Sequence, residues 1–294
     1  MPTRRQFMQA LALAPLAGLW RGAAAAAPPP LRLQRQFARI EAASGGRLGV
    51  AMLDLRTGLH ASHRGGERFP MCSTWKVLAV AAMLQRVDAG QERLDRRIRF
   101  DAHQLVSWSP VTERHVGGEG MRVDALCAAA LEISDNTAAN LLLEALGGPA
   151  AITRFARGLD DRVTRLDRYE TALNEATPGD PRDTTAPDAM AGDLRRLLLG
   201  DALHADSRAR LLAWMEACRT GDGKLRAGVP AHWRVADKTG SGGYGSSNDV
   251  GLLMPPGQRP VVVAVYLTQT RVAEAQRHAA IAAVARAIVD TPWA

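Results

Sequence analysis

Segments that read as β-strands lie at the two ends of this chain, and a long stretch of helical patterning separates them. Residues 48–55 read as a strand ending near Thr57-Gly58, a second short strand follows, and strands return at residues 234–238, 250–254 and 261–268. From Ser73 to about Glu216 the pattern is helical, with apolar runs at residues 77–84, 126–133 and 194–199 broken by glycine and proline loops. Helical spacing also marks residues 31–43, after the stiff Pro28-Pro29-Pro30, and the Ala-rich residues 273–289. The predicted fold class is α/β (α+β): an antiparallel sheet built from both chain ends and flanked by the terminal helices, with an all-α lobe inserted. The sheet lobe takes about residues 31–65 and 217–294 and the helical lobe about 66–216, and the predicted active cleft lies between them.

A chain of 294 residues, 47% hydrophobic, can bury one large core or two lobes sharing an interface, and 23% charged residues argue against a membrane bundle or a disordered protein. The apolar stretch 8–19 is too short to span a bilayer of about 30 Å. With Thr3-Arg4-Arg5-Gln6-Phe7 before it and small residues at 23–27, it reads as a twin-arginine-like signal peptide over residues 1–27. The expectation is export to the periplasm by the twin-arginine route, leaving a mature domain of residues 28–294. Removing the leader takes away Arg4, Arg5 and Arg21 and no acid, so the mature chain is only mildly basic. No basic run gives that charge a direction, which argues for solubility rather than nucleic-acid binding; a monomer acting on a small molecule is expected.

The three cysteines, Cys72, Cys127 and Cys218, show no pairing pattern and read as free buried thiols. Of seven histidines only His60 and His63 are close together, so neither a metal nor another cofactor is expected. Residues 240–245 satisfy G-x-G-x-x-G, yet Ser246-Ser247-Asn248-Asp249 and a strand follow where a dinucleotide site needs a helix N-terminus.

The chemistry rests on four short motifs. Ser73-Thr74-Trp75-Lys76 opens an apolar helix and puts a hydroxyl and an amine on one face, three residues apart. A lysine buried against Val77, Leu78 and Val80 is pushed toward its neutral form unless a carboxylate holds its charge. Alone, the motif reads as a helix cap and a snorkelling lysine. Ser134-Asp135-Asn136 precedes a second helix and alone is also a cap, and Lys238-Thr239-Gly240-Ser241 ends a strand, where a lysine would guard an edge. The fourth motif is Arg168-Tyr169-Glu170 with Asn174, in a polar loop that continues through Pro178, Gly179, Asp180, Pro181 and Asp183.

In this order and spacing the first three motifs resemble those of the penicillin-recognising serine enzymes. With the Glu170 loop, which looks like an Ω-loop, the chain resembles the class A β-lactamases along nearly its whole length. The resemblance implies a β-lactamase/DD-peptidase-like fold and hydrolysis of β-lactam antibiotics through an acyl-enzyme on Ser73. Lys76 and Glu170 would handle its proton, and Ser134 would relay a proton to the leaving nitrogen. Glu170 and Asn174 would hold the deacylating water, and Asn136 would grip the substrate amide. The backbone N–H groups of Ser73 and Ser241 would form the oxyanion hole. Thr239 and Ser241 would meet the substrate carboxylate, Lys238 would help to bind the substrate near the Ser134 relay, Trp108 would be an aromatic wall, and Arg277 would assist at the carboxylate, with Lys224 as a competing candidate. The resemblance also implies a cis peptide between Glu170 and Thr171. Arg168 and Asp183 bracket the loop and should pair across its base. Cys72 matches some carbapenem-hydrolysing relatives, but Gly242 stands at its disulfide partner's position, and Val80 stands at that of Cys127. A DD-peptidase or a β-lactam sensor would share Ser73, Lys76, Ser134 and Lys238 but needs neither Glu170 nor Asn174.

Overall fold

A computed structural model describes residues 28–291, so the expected leader lies outside the described residues. Helix α1 (Pro29–Ser44) leads into strands β1 (Arg47–Asp54) and β2 (His60–His63). The chain then passes a two-residue strand β3 (Phe69–Pro70) and enters α2 (Lys76–Asp88). Another short pair, β4 (Arg97–Ile98) and β5 (Met121–Arg122), precedes α3 (Val123–Glu132), α4 (Asn136–Leu146) and α5 (Pro149–Gly158). After β6 (Thr184–Thr185) come α6 (Pro187–Leu199) and α7 (Ala205–Glu216). Strands β7 (Arg234–Gly242), β8 (Ser246–Met254) and β9 (Val261–Thr268) and helix α8 (Glu274–Val289) complete the order.

The main sheet runs β2-β1-β9-β8-β7 with every neighbouring pair antiparallel, so the first strand is hydrogen-bonded to the last. Both faces of this sheet are buried, and the two-residue side-chain period sorts them. Val50, Met52, Val263 and Val265 pack with Leu33 and Phe37 of α1 and Ile281, Val284 and Ile288 of α8. Ala51, Val262, Ala264 and Tyr266 point the other way, into the core that holds α2 and the helices around it. Strand β9 is buried along all eight residues, which is why its sequence reads as a nearly continuous apolar run.

Two boundaries differ from the sequence reading for reasons that bear on the site. Strand β7 continues to Gly242 and β8 begins at Ser246, with Lys238 opposite Val250 and Gly242 opposite Ser246. Glycine, serine and asparagine disfavour strands by propensity, but here the backbone ladder overrides it. The helix expected at Ser73 also begins later. Residues Cys72–Trp75 form a 3-10 turn, and α2 starts at Lys76.

Candidate active site

The turn that carries Ser73 is fixed by a close backbone approach. A Cβ on Gly240 would stand 2.8 Å from the Met71 carbonyl oxygen and 3.2 Å from Cβ of Cys72, so glycine lets β7 lie against the turn. The result is a cleft of about 420 Å³ lined by Ser73 and by Thr239, Gly240 and Ser241 of the strand. Lys76, one helical turn beyond Ser73, is fully buried, as an amine on the inward face of α2 must be.

The Lys76 ammonium is held from several sides. Nζ donates to the Ser134 carbonyl (2.8 Å), Ser134 Oγ (3.2 Å) and Asn136 Oδ1 (2.6 Å), and it lies 3.3 Å from Glu170 Oε1. Burial pulls its pKa down, and the Glu170 carboxylate and Asp135 resist that pull. Ser134 stands between two lysines, because Lys238 Nζ also donates to Ser134 Oγ at 3.0 Å. Burial and the charge of Lys76 bring Lys238 down to about 7. Asp135 caps α4 at the Ala138 N–H (2.8 Å) and accepts from the N–H groups of Val111 and Thr112, anchoring the Ser134 turn, where Ser134 takes φ +62°.

Glu170 is 4% exposed and fully engaged. Oε1 accepts from Ser73 Oγ (3.2 Å) and Trp75 Nε1 (3.1 Å), and Oε2 accepts from Asn174 Nδ2 (2.5 Å). Its backbone is clasped by Asn140, whose amide donates to the Glu170 carbonyl and accepts from the Glu170 N–H, both at 2.9 Å. The Glu170–Thr171 peptide is cis. Arg168 and Asp183 pair across the loop base with Nε to Oδ2 at 2.6 Å, and Asp183 Oδ1 also accepts the N–H groups of Asp167 and Arg168.

Ser73, Ser134, Asn136, Asn174, Thr239, Ser241 and Trp108 all line the cleft, and Lys76, Lys238 and Glu170 lie just behind it. Trp108, 60% exposed, is aimed by φ +62° and by Nε1 donating to the Ile133 carbonyl at 2.9 Å. Arg277 does not line the cleft, whereas its competitor Lys224 does. Successive helix residues turn by about 100°. It is therefore His278 of α8 that faces inward, while Arg277 Nη1 turns back to the Val272 carbonyl at 2.9 Å. Lys224 Nζ sits behind β7 against the carbonyl oxygens of Gly240 (3.3 Å) and Asn248 (3.2 Å). Sequence reasoning passed over Asn140, Thr220, Glu274 and His278. Only Asn140 carried a signal, its i,i+4 spacing from Asn136 on α4. Thr220, whose Oγ1 lies 2.6 Å from Thr239 Oγ1, reaches the cleft through tertiary contact alone.

All three cysteines are free and buried. Burial pushes the Cys72 thiol up to about 12, far from a reactive thiolate.

A serine beside a lysine–carboxylate pair, with a second lysine one hydroxyl away, is the constellation of a serine acyl-transfer enzyme. Comparison with known proteins agrees with it. Residues 32–291 match the Beta-lactamase enzyme family. The chain is 46% identical to Beta-lactamase CTX-M-25 of Escherichia coli over 88% of each chain. It is 43% identical to Beta-lactamase OXY-1 of Klebsiella oxytoca, with 98% of this chain and 97% of that one covered. Among solved structures it resembles an ancestral (GNCA) class A β-lactamase at TM-score 0.87 and 61% identity, covering 88% of this chain and 99% of that one. A putative class A β-lactamase, PenP, from Rhodopseudomonas palustris superposes at TM-score 0.86 and 55% identity over 87% and 98% of the two chains. The chain belongs to the class A serine β-lactamases.

Proposed function

We propose that this protein hydrolyses the β-lactam ring in two half-reactions, acylation of Ser73 and attack of water on the resulting ester. The observation that carries the reading is the double engagement of Glu170, with Oε1 shared by Ser73 and Lys76 and Oε2 held by Asn174. A carboxylate so placed takes a proton first from the serine side and later from a water held between it and Asn174. Lys76, paired with Glu170 and hydrogen-bonded to Ser134, shares the handling of the serine proton. Ser134, between Lys76 and Lys238, passes a proton to the departing ring nitrogen. The N–H groups of Ser73 and Ser241 receive the developing oxyanion. Lys238, Thr239 and Ser241, with Lys224 behind the strand, receive the substrate carboxylate. Asn136 and Trp108 border the acylamino chain. A peptidase or a sensor that stays acylated has no use for Glu170 and Asn174, and here both are built into the cleft.

The test separates the half-reactions. Glu170→Gln keeps the side-chain shape but cannot accept a proton, so deacylation should fall by about 10² to 10⁴, roughly 3–5.5 kcal/mol of barrier. With benzylpenicillin the variant should show a persistent mass increase on the intact protein, and Ser73→Ala should show none. Turnover at the wild-type rate would remove Glu170 from the reaction.

The twin-arginine-like residues 1–27 support export to the periplasm, where a monomer would meet its small-molecule substrate. Replacing Arg4 and Arg5 by lysine should retain the activity in the cytoplasm, and an unchanged periplasmic yield would argue for ordinary secretion.

A further inference from the structure

The sheet-side wall of the cleft contains a carboxylate–imidazole pair that the hydrolysis scheme leaves unused. Glu274 and His278 stand one turn apart at the start of α8, with His278 Nε2 3.4 Å from Glu274 Oε1, and both side chains line the cleft. They adjoin the Lys224 end of the site. A Cβ on Gly223 would come within 3.3 Å of His278 Nδ1, so the ring lies over the backbone beside Lys224. Thr220 and Thr239, joined by their hydroxyls, continue the same wall.

In a cephalosporin the ring carboxylate and the 3-substituent sit on adjacent carbons. Once the carboxylate is docked at Thr239, Ser241 and Lys224, the 3-substituent lies beside it, away from the acylamino chain. The first turn of α8 is the wall it meets there. With His278 neutral and Arg277 turned back to the Val272 carbonyl, the charge that this turn of α8 presents to the cleft is the carboxylate of Glu274, whose side chain is 70% exposed. We propose that Glu274 and His278 form a specificity element for the group beside the substrate carboxylate, favouring a cationic substituent over a neutral one and a neutral one over an anionic one. The inference rests on the hydrolase reading of the same cleft.

His278 sets the strength of this preference. It faces Lys224 from the neighbouring segment and Glu274 and Arg277 on its own helix. Burial, then Lys224, holds its pKa below the usual histidine value, with Glu274 opposing, so the ring is neutral at pH 7.5 and charges on acidification. A protonated His278 cancels the charge of Glu274, and the discrimination fades as pH falls.

The experiment uses three cephalosporins with one acylamino chain and non-departing 3-substituents that are cationic, neutral or anionic. Taking the ratio of kcat/KM between them cancels the titrations of Lys238 and the catalytic groups, which all three substrates share. In the wild type the cationic compound should lead the anionic one at pH 7.5 by about twofold to fivefold, the scale of one exposed charge. The difference should lie in KM and shrink in about 1 M salt, where the screening length is about 3 Å. Glu274→Gln should bring the ratio close to one, and His278→Asn should keep it at pH 7.5 but remove the fading of the ratio on acidification. A Glu274→Gln ratio equal to the wild-type ratio overturns the proposal. If the wild type hydrolyses none of the three compounds nor benzylpenicillin, the hydrolase reading fails instead.

Discussion

Two places in this protein bury charged groups on either side of the loop that carries Glu170, and they do so under opposite conditions. In the cleft, Lys76 is fully buried and Glu170 nearly so, but the two are of opposite sign and hydrogen-bond donors meet both carboxylate oxygens. Between the end of α5 and the middle of α6, Asp161 and Asp193 are 6% and 1% exposed and lie close enough to share a hydrogen bond. Asp161 Oδ1 accepts the N–H groups of Val163 and Thr164, yet Asp161 Oδ2 and both Asp193 oxygens have no donor among the described residues. The nearest cations are engaged elsewhere, Arg196 with Asp160 at 2.9 Å and Arg157 with the carbonyl oxygens of Asp161 and Thr164. Burial, then the Asp161 charge, raises Asp193 to about 9. In the cleft the buried Lys76 is matched by the carboxylate of Glu170, whereas the acid pair keeps one proton because two carboxylates cannot both ionise in a dry site.

Asp183 lies between these extremes and offers the sharpest way to break the contrast. It is 1% exposed but satisfied by Arg168 and by two backbone N–H groups. Arg168→Ala leaves a buried carboxylate without its cation and should destabilise the protein by about 3 kcal/mol in denaturant unfolding, the low end for a broken buried pair because the N–H donors remain. Deacylation should slow as well, since the loop that holds Glu170 loses its clasp.

Asp193→Asn tests the other side. The folded protein keeps a proton on Asp193 that the unfolded chain gives up near the ordinary aspartate value of 3.8, so this group's stabilising contribution falls from about pH 4 up to its folded value of about 9. Lys238 acts in the opposite sense above pH 7, because its folded pKa lies below the value of 10.5 for an unperturbed lysine, and it masks part of the slope in the wild type. The stability difference between Asp193→Asn and wild type cancels that term. It should grow in favour of the variant with rising pH, by at most about 1.4 kcal/mol per unit, and level off above pH 9. A pH-independent difference would mean that Asp193 is ionised in the folded protein.

The smallest effect should come from Lys238 in the cleft. As pH rises through about 7 its ammonium discharges, and KM for carboxylate-bearing substrates should rise severalfold with kcat less affected. A KM unchanged from pH 6 to 8.5 would place the carboxylate contact on Lys224 instead.

How much of this was legible in the sequence follows from where each contact is made. Ser73 with Lys76, Glu170 with Asn174, and the Lys238-Thr239-Gly240-Ser241 edge are short-range patterns whose geometry is set by one turn or one strand. Arg168 with Asp183 spans a loop, but opposite charges bracketing it gave the pairing away. The Asp161–Asp193 contact joins the loop after α5 to α6 through the tertiary fold, and an isolated aspartate in a loop or a helix reads by default as solvated. Arg277 was weighed against Lys224 for the carboxylate, and the neighbouring His278 was passed over, because sequence spacing alone does not show which of two adjacent polar helix residues turns toward the cleft. The strand ends at Gly240 to Ser246 were lost for a different reason, since propensity is silent about a ladder imposed by its neighbours.

The pairing of β1 with β9 also has a meaning in time. Arg47 lies opposite Thr268 and Asp54 opposite Val261, so the first strand made has no central neighbour until nearly the whole chain exists. At about 5–20 residues per second, synthesis leaves Val50 and Met52 without their cover of β9 and α8 for roughly ten seconds or more. A nascent chain stopped short of β9 therefore cannot hold the sheet side of the cleft, and activity should appear all at once, with the last strand and helix, rather than in stages.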